Sequence, residues 1–156
     1  MKKDEYSQEE LLHKAAAYCS TSEHCISEVE DKLQKWGASE SDRHKIIDYL
    51  IKNDFINEHR YAKAFVKDKF RFNKWGKVKI LLALKAKGIE KNVIESSLSV
   101  IDDSEYEEVL SSILQSKLKS IKYNSEYEKK GKLMLFAQSR GFEYSVIEKV
   151  LHNFSN

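Results

Sequence analysis

The residues best suited to bind a charged partner are cations that cluster in the middle of the chain. From Arg60 to Lys91 there are eleven Lys and Arg residues against two Asp and Glu residues, a surplus of nine positive charges. Because the whole chain carries a net charge of +2, the remainder has a surplus of seven negative charges. A basic middle between acidic flanks indicates a polyanionic partner.

A helical projection places several of these cations on one side of a predicted helix. At 100° per residue, a sector of about 80° contains Arg60, Lys63, Lys67, Arg71 and Lys74, and no acidic residue interrupts them at helical spacing. Ordinary solvated helices mix both signs of charge, so a uniform sector favours a binding surface. The predicted contact residues are Arg60, Lys63, Lys67, Arg71, Lys74, Lys77 and Lys79.

Aromatic residues in the same segment are predicted to face the protein interior. Tyr61, Phe65 and Phe72 project within about 40° of one another, opposite much of the charge. Rings that stack on single-stranded nucleic acid must be exposed, whereas the angular positions of these three rings on the helix are those expected for its buried side. The sequence leaves Trp75 open, because at a helix boundary beside Gly76 its indole can cover the core or face outward.

No sequence motif for catalysis is present. The chain has no GxxxxGKS phosphate loop, no GxSxG elbow, no HExxH pair and no paired metal-ligand cluster. We therefore predict no enzymatic activity, no cofactor, no metal and no small-molecule substrate. Cys19 and Cys25 lack zinc-site spacing, and we expect both to be buried, reduced thiols.

The hydropathy of the chain gives an expectation about location. The opening "MKKDEYSQEE" lacks the apolar stretch of a signal peptide. No segment approaches the length of roughly eighteen apolar residues that a membrane span needs. We expect a cytoplasmic protein that does not bind membranes.

Composition and three glycines predict the fold. The absence of proline and the presence of only five glycines favour an all-α protein. Gly37, Gly88 and Gly141 lie 51 and 53 residues apart in similar surroundings, "LQKWGAS", "LKAKGIE" and "AQSRGFE". Each glycine can adopt the left-handed conformation that ends a helix, with an apolar contact between the next residue and the one four before the glycine.

A second signature follows each glycine and defines a repeat. Apolar residues recur at matching distances, and two helical segments precede each glycine, so the unit has three helices. The signature residues are Val93, Ile94 and Leu98, then Val146, Ile147 and Leu151, and, with four residues inserted, Ile46, Ile47 and Ile51. We predict three tandem, helix-turn-helix-like repeats in an elongated, curved body, with boundaries at 1–53, 54–102 and 103–156.

Serine followed three residues later by an acidic residue marks several helix starts. These pairs are Ser7 with Glu10, Ser39 with Asp42, Ser104 with Glu107, and Ser125 with Glu128. Together with the glycines, they predict nine helices near 7–20, 25–36, 40–52, 58–72, 76–87, 91–100, 105–121, 125–140 and 143–153.

The middle of the chain resembles a known protein family. "DFINEHRYAKAFVKDKF" followed by "KWGKVKILLALKAKGIEKNVIESSL" is similar to the central repeat of RecX, the regulatory protein of the bacterial recombinase RecA. The matching residues are Phe55, Ile56, Asn57, Glu58, Arg60, Tyr61, Ala62, Phe65 and Val66. The third repeat resembles the family through "LMLFAQSRGFEYSVIEKVL", and the first only in part, with Cys25 in place of a serine.

The resemblance implies a noncatalytic protein that binds the RecA nucleoprotein filament and usually suppresses strand exchange and coprotease function. It places the chain in DNA recombination, DNA repair and the SOS response. A basic helical surface is a plausible complement to a filament that exposes acidic protein and phosphate. The alternative is a direct binder of single- or double-stranded DNA, in which the same cations neutralise phosphates and the glycine turn belongs to a helix-turn-helix.

Overall fold

The computed structural model describes residues 5–154, and within that range the chain forms nine α-helices and no strand. In chain order they are α1 (Gln8–Thr21), α2 (Ile26–Lys35), α3 (Glu40–Lys52), α4 (Glu58–Arg71), α5 (Lys77–Ala86), α6 (Lys91–Leu98), α7 (Asp103–Leu118), α8 (Glu126–Ser139) and α9 (Tyr144–Phe154). The all-α prediction is confirmed. Over the same residues, no helix is both long and apolar enough to cross a membrane.

The helices pack in groups of three. The most extensive helix pairings join members of α1–α3, of α4–α6, or of α7–α9, which we call the first, second and third units. The accessible surface is 10175 Å² for a mass of 18.2 kDa. A compact monomer of this mass exposes about 8,100 Å², so the excess fits an elongated arrangement. The curvature and the repeat boundaries stay predictions.

The three glycine turns form as the sequence predicts. Gly37, Gly88 and Gly141 have φ of 84°, 81° and 95°. After each glycine, the next backbone N–H donates to the carbonyl of the residue four before the glycine, at 2.9 to 3.2 Å. Such bonds satisfy carbonyls that the helix end would otherwise leave unpaired. The paired residues are all buried: Leu33 and Ala38, Leu84 and Ile89, Ala137 and Phe142.

Most of the predicted caps are present. Ser7 and Glu10 form both bonds of a capping box, and Ser39 and Ser125 each accept from an amide three residues on. The exception is Ser104, because Asp102 accepts from the Glu105 amide at 3.0 Å and α7 begins earlier. A carboxylate is as good an N-cap as a hydroxyl and adds a favourable interaction with the helix dipole.

The apolar core consists of two bodies rather than one. The first unit has its own core around Leu11, Val29 and Leu33, whereas the cores of the second and third units are continuous. Cys25 belongs to the larger core, and both cysteines are buried, free thiols, as predicted. One signature residue was predicted wrongly: Ile51 is 43% exposed, and Leu50 takes the buried position on that turn of α3.

The contact between the first and second units, here called the first junction, is largely polar. Glu28 accepts from the Lys87 ammonium at 3.0 Å and from the Tyr61 hydroxyl at 3.4 Å. Around it lie an ion pair of Arg60 with Glu23, a bond from the Ile26 amide to Glu58, and a bond from the Ser27 hydroxyl to the Lys87 carbonyl.

The contact between the second and third units, here called the second junction, centres on backbone contacts and aromatic rings, with the ion pairs Lys77–Asp103 and Arg71–Glu105 beside them. The amides of Gly76 and Val78, at the start of α5, donate to the carbonyls of Arg140 and Gly141, at the end of α8, at 2.7 and 2.9 Å. The helix dipoles therefore meet head to tail. Beside this contact the ring of Tyr106 lies between those of Phe70 and Phe142, with centroid distances of 5.8 and 5.0 Å.

Candidate partner-binding surface

Helix α4 presents one side to the core and the opposite side to solvent. It begins where the Asn57 side chain accepts from the Arg60 amide at 3.1 Å. Tyr61, Ala62, Val66 and Phe70 are buried against the second unit and its neighbours. Residues on the other side of the helix are consequently free to meet a partner.

The aromatic residues of this segment follow the prediction only in part. Tyr61 is buried and Phe65 is partly buried against the core, but Phe72 is 81% exposed, so its assignment to the core was wrong. The helix ends at Arg71 and the chain then turns back. Trp75, rather than Phe72, packs edge-on against Phe65, with ring centroids 6.5 Å apart. Its indole therefore covers the core, which is one of the two orientations that the sequence left open.

Lys63 and Lys67 form the unpaired centre of the predicted cation group. Both are exposed, and neither forms an ion pair with a carboxylate anywhere in residues 5–154. Arg71, one turn further on, has a half-exposed side chain whose Nε lies 3.7 Å from Glu105 Oε1. An exposed pair at that distance stabilises little and is readily exchanged for another carboxylate.

Arg60 is engaged within the molecule. Its guanidinium donates to Glu23 at 2.6 Å and to Asp54 at 2.8 Å, and the hydrogen bond with Glu23 raises the pKa of Arg60. Glu23 lies between α1 and α2, so the pair joins the first unit to the second. Arg60 is thus part of the first junction.

Lys74 is exposed but does not continue the helical row. It follows the end of α4 and has φ of 57°, so the projection that aligned it with Lys67 does not apply. Its Nζ donates to the Arg71 carbonyl at 2.7 Å, which supplies a cation to one of the last carbonyls of α4. The charge therefore remains beside Arg71.

Lys77 and Lys79 lie on the first turn of α5 and are both partly buried. Lys77 Nζ is 4.7 Å from the centroid of the Tyr106 ring and 4.0 Å from Asp103 Oδ1. Lys79 Nζ is 4.6 Å from the ring centroid of Trp75. These contacts hold both ammonium groups against aromatic faces, away from the row formed by Lys63 and Lys67.

The exposed cations line a cleft that the sequence did not reveal. It lies between α4, the linker from α6 to α7, and the first turn of α7, and its volume is about 370 Å³. We call it the α4–α7 cleft; its lining residues include Lys63, Lys67, Arg71, Val100, Ile101 and Glu105. Val100 and Ile101 are ordinary apolar residues in the sequence. They follow the end of α6, and the packing of α6 against α4 brings them beside the lysines.

Family models match both units that form this cleft. Residues 57–98 match the second three-helix domain of RecX, and residues 104–151 match the third three-helix domain of RecX. The chain belongs to the RecX family. Lys63, Lys67 and Arg71 thus lie in the second RecX domain, and Val100 and Ile101 lie in the linker between the two matched ranges.

RecX proteins of clostridia are similar over most of this chain. The regulatory protein RecX of Clostridium botulinum strain Eklund 17B is 36% identical over 131 residues, which are 83% of this chain and 61% of that protein. The RecX of Clostridium beijerinckii is 38% identical over 127 residues, 80% of this chain and 58% of that protein. The chain therefore spans about three fifths of the length of these curated relatives.

A solved RecX structure has the same fold. The crystal structure of RecX from Lactobacillus salivarius superposes with a TM-score of 0.87 at 26% identity, covering 95% of this chain and 96% of that one. The similarity includes the first unit, which is the part of the RecX fold that the sequence resembled only in part.

Proposed function

We propose that this chain is a noncatalytic regulator of the recombinase RecA, and that it binds the RecA nucleoprotein filament through exposed cations beside α4. The contact residues are Lys63, Lys67, Arg71 and Lys74. Arg60 and Lys77 contact the neighbouring units, and Lys79 lies over Trp75, so these three cations have structural roles. The regulator acts in the cytoplasm and lowers filament activity.

The observation that carries the proposal is the unpaired charge of Lys63 and Lys67. Two exposed lysines one turn apart repel each other by a few tenths of a kcal/mol, and within the described part of the chain neither forms an ion pair that would offset this repulsion. A partner that supplies negative charge would relieve it. The relatives' name, regulatory protein RecX, agrees with a noncatalytic role, and the family resemblance indicates the filament as the anionic partner.

Direct DNA binding through a helix-turn-helix is supported less well. In such a motif the helix after the turn enters the major groove. Here that helix is α6 in the second unit, where Lys91 lies 3.9 Å from Glu95 and Glu90 precedes the helix. Acidic groups on that surface would repel phosphate. A simpler mode, in which the α4 cations contact phosphates, remains an outcome of the test.

The test is the ATPase activity of RecA on single-stranded DNA with sub-stoichiometric amounts of this protein. We expect the wild type to lower the activity and the Lys63→Glu, Lys67→Glu double variant to lose that effect, since two attractive contacts become repulsive. Both residues are exposed, so the free energy of unfolding should change by no more than about 1 kcal/mol.

The matched control is Lys45→Glu with Lys52→Glu, which changes net charge equally at exposed positions of α3. It should inhibit like the wild type. A folded double variant of α4 that still inhibits at the wild-type concentration would exclude these lysines as the contact. Tight, salt-sensitive binding to DNA without RecA, lost in the α4 variant, would favour the direct DNA binder.

A further inference from the structure

The α4–α7 cleft places positive charge beside an exposed apolar surface. Lys63, Lys67 and Arg71 form the wall contributed by α4. Opposite them, Val100 is 60% exposed in the linker from α6 to α7, and Ile101 beside it is 8% exposed. The Ile101 amide donates to the Leu98 carbonyl at 3.2 Å, which ties the linker to the end of α6.

We propose that this cleft binds an acidic protein segment that carries one large apolar side chain. Carboxylates of the segment would pair with Lys63 and Lys67, while its apolar side chain would cover Val100. The inference rests on the proposed function, because the segment would belong to the protein component of the filament. It deepens that function by assigning this contact to protein rather than to DNA.

The lining chemistry favours a protein segment over nucleic acid. A phosphate backbone supplies charge but leaves Val100 uncovered, and unpaired bases stack on exposed aromatic rings. The aromatic ring in this cleft, Phe70, is only 2% exposed. Glu105 adds a carboxylate to the rim, where it can accept from a backbone amide of a peptide, a donor that a phosphate backbone lacks.

The first experiment measures peptide binding by fluorescence anisotropy. The probe is a labelled peptide of alternating aspartate and serine with a central leucine. The control peptide has alanine in place of the leucine. Burial of the additional carbons should make the leucine peptide bind about tenfold more tightly. Equal affinity of the two peptides, or no binding of either at about 1 mM, would overturn the proposal.

The second experiment tests whether the tighter binding of the leucine peptide depends on the α4–α7 cleft. Val100→Ser should weaken binding of the leucine peptide about fivefold and leave binding of the alanine peptide unchanged. Lys67→Glu should weaken binding of both peptides. The control is Leu82→Ser on α5, which is 59% exposed and therefore matched to Val100 in burial. If Leu82→Ser has the same effect as Val100→Ser, the peptide does not bind in this cleft.

RecA inhibition by the same variants separates this proposal from the proposed function. If the wild type inhibits RecA and Val100→Ser inhibits equally well, the cleft proposal is wrong and the filament proposal stands. If the wild type leaves RecA unaffected but the leucine preference depends on Val100, the filament proposal is wrong and the cleft still binds acidic protein. Val100→Ser should inhibit about fivefold less potently than wild type, and Leu82→Ser should match the wild type.

Discussion

The two junctions between the three-helix units rely on different main contacts, although both bring the start of one helix to the end of another. At the first junction, the N-terminal turn of α2 meets the end of α5 through Ser27 and Glu28, and side-chain charges make most of the contacts. At the second, the N-terminal turn of α5 meets the end of α8 through the backbones of Gly76 and Gly141.

The difference shows how one repeat can build two kinds of connection. Backbone contact requires close approach, which two glycines permit, and it merges the second and third units into one core. Side-chain contacts dominate the first junction, and the first unit keeps its own core, although Cys25 is buried in the larger one. The first junction should therefore depend on pH and salt, whereas the second should depend on the exact volume of the residues in contact.

The largest expected effect is at the second junction, for Gly76→Ala. A Cβ at this position would lie 2.3 Å from the carbonyl carbon of Gly141. Gly76 has φ of −78°, which alanine adopts without strain, so the cost would arise from the junction alone. We expect the free energy of unfolding to fall on the order of 3 kcal/mol, measured by urea denaturation.

The control for that substitution is Gly131→Ala in the exposed middle of α8, where a Cβ would meet nothing within 4 Å. It should raise the free energy of unfolding by about 0.5–1 kcal/mol, because alanine favours helix more than glycine does. If Gly76→Ala is as well tolerated as Gly131→Ala, the backbones at Gly76 and Gly141 do not lie this close together.

An intermediate effect is expected at the first junction, for Glu28→Gln. Loss of the charge weakens the hydrogen bonds from Lys87 and Tyr61, so the free energy of unfolding at pH 7 should fall by about 1.5 kcal/mol. The control is Glu128→Gln, which removes an exposed ion pair with Lys132 and should cost clearly less, because solvent screens such a pair. Equal costs would show that the first junction is no stronger than a surface ion pair.

The pH dependence of Glu28→Gln follows from its pKa. Burial raises the pKa of Glu28, but hydrogen bonds from Lys87, His24 and the Cys25 amide outweigh it, and the pKa lies below its ordinary value. A carboxyl with a lowered folded-state pKa stabilises the fold above the unfolded-state value of about 4.3. The stability difference between wild type and variant should therefore shrink as the pH falls below that value. A difference that stays constant down to pH of about 3 would contradict the assignment.

The smallest effect is expected for Gly88→Ala, near the first junction. Its φ of 81° strains any residue with a side chain, but a Cβ there would meet nothing within 4 Å. The cost should be about 1 kcal/mol, from backbone strain alone. At Gly141 the same strain is combined with a Cβ contact 2.3 Å from Lys79 Cβ, so Gly141→Ala should cost more in parallel denaturation experiments.

The sequence predicted the helices well because the signals that end them are local. Glycine at positive φ and serine caps act within a few residues, and each predicted helix has a counterpart in the described chain. The errors occur where two nearby residues could take the same structural position. Asp102 caps α7 in place of Ser104, and Trp75 packs against Phe65 where a continuing helix would have buried Phe72.

The candidate surface was predictable only as a row of cations. Projection found Lys63 and Lys67, whose exposure depends on the periodicity of α4 itself. It could not show that Arg60 is paired, because Glu23 lies 37 residues away in the sequence. Nor could it find Val100, whose place beside the lysines depends on how α6 packs against α4.

The sequence by itself thus determined the all-α fold, the repeat and the side of α4 that carries charge, since periodicity and caps are encoded within single turns of helix. Tertiary structure alone decided which cations are unpaired, which glycines touch and where a cleft opens. Those properties depend on distances between segments that are remote in the chain. Such distances are set by packing across Gly76 and Gly141 and by charge pairing around Glu28.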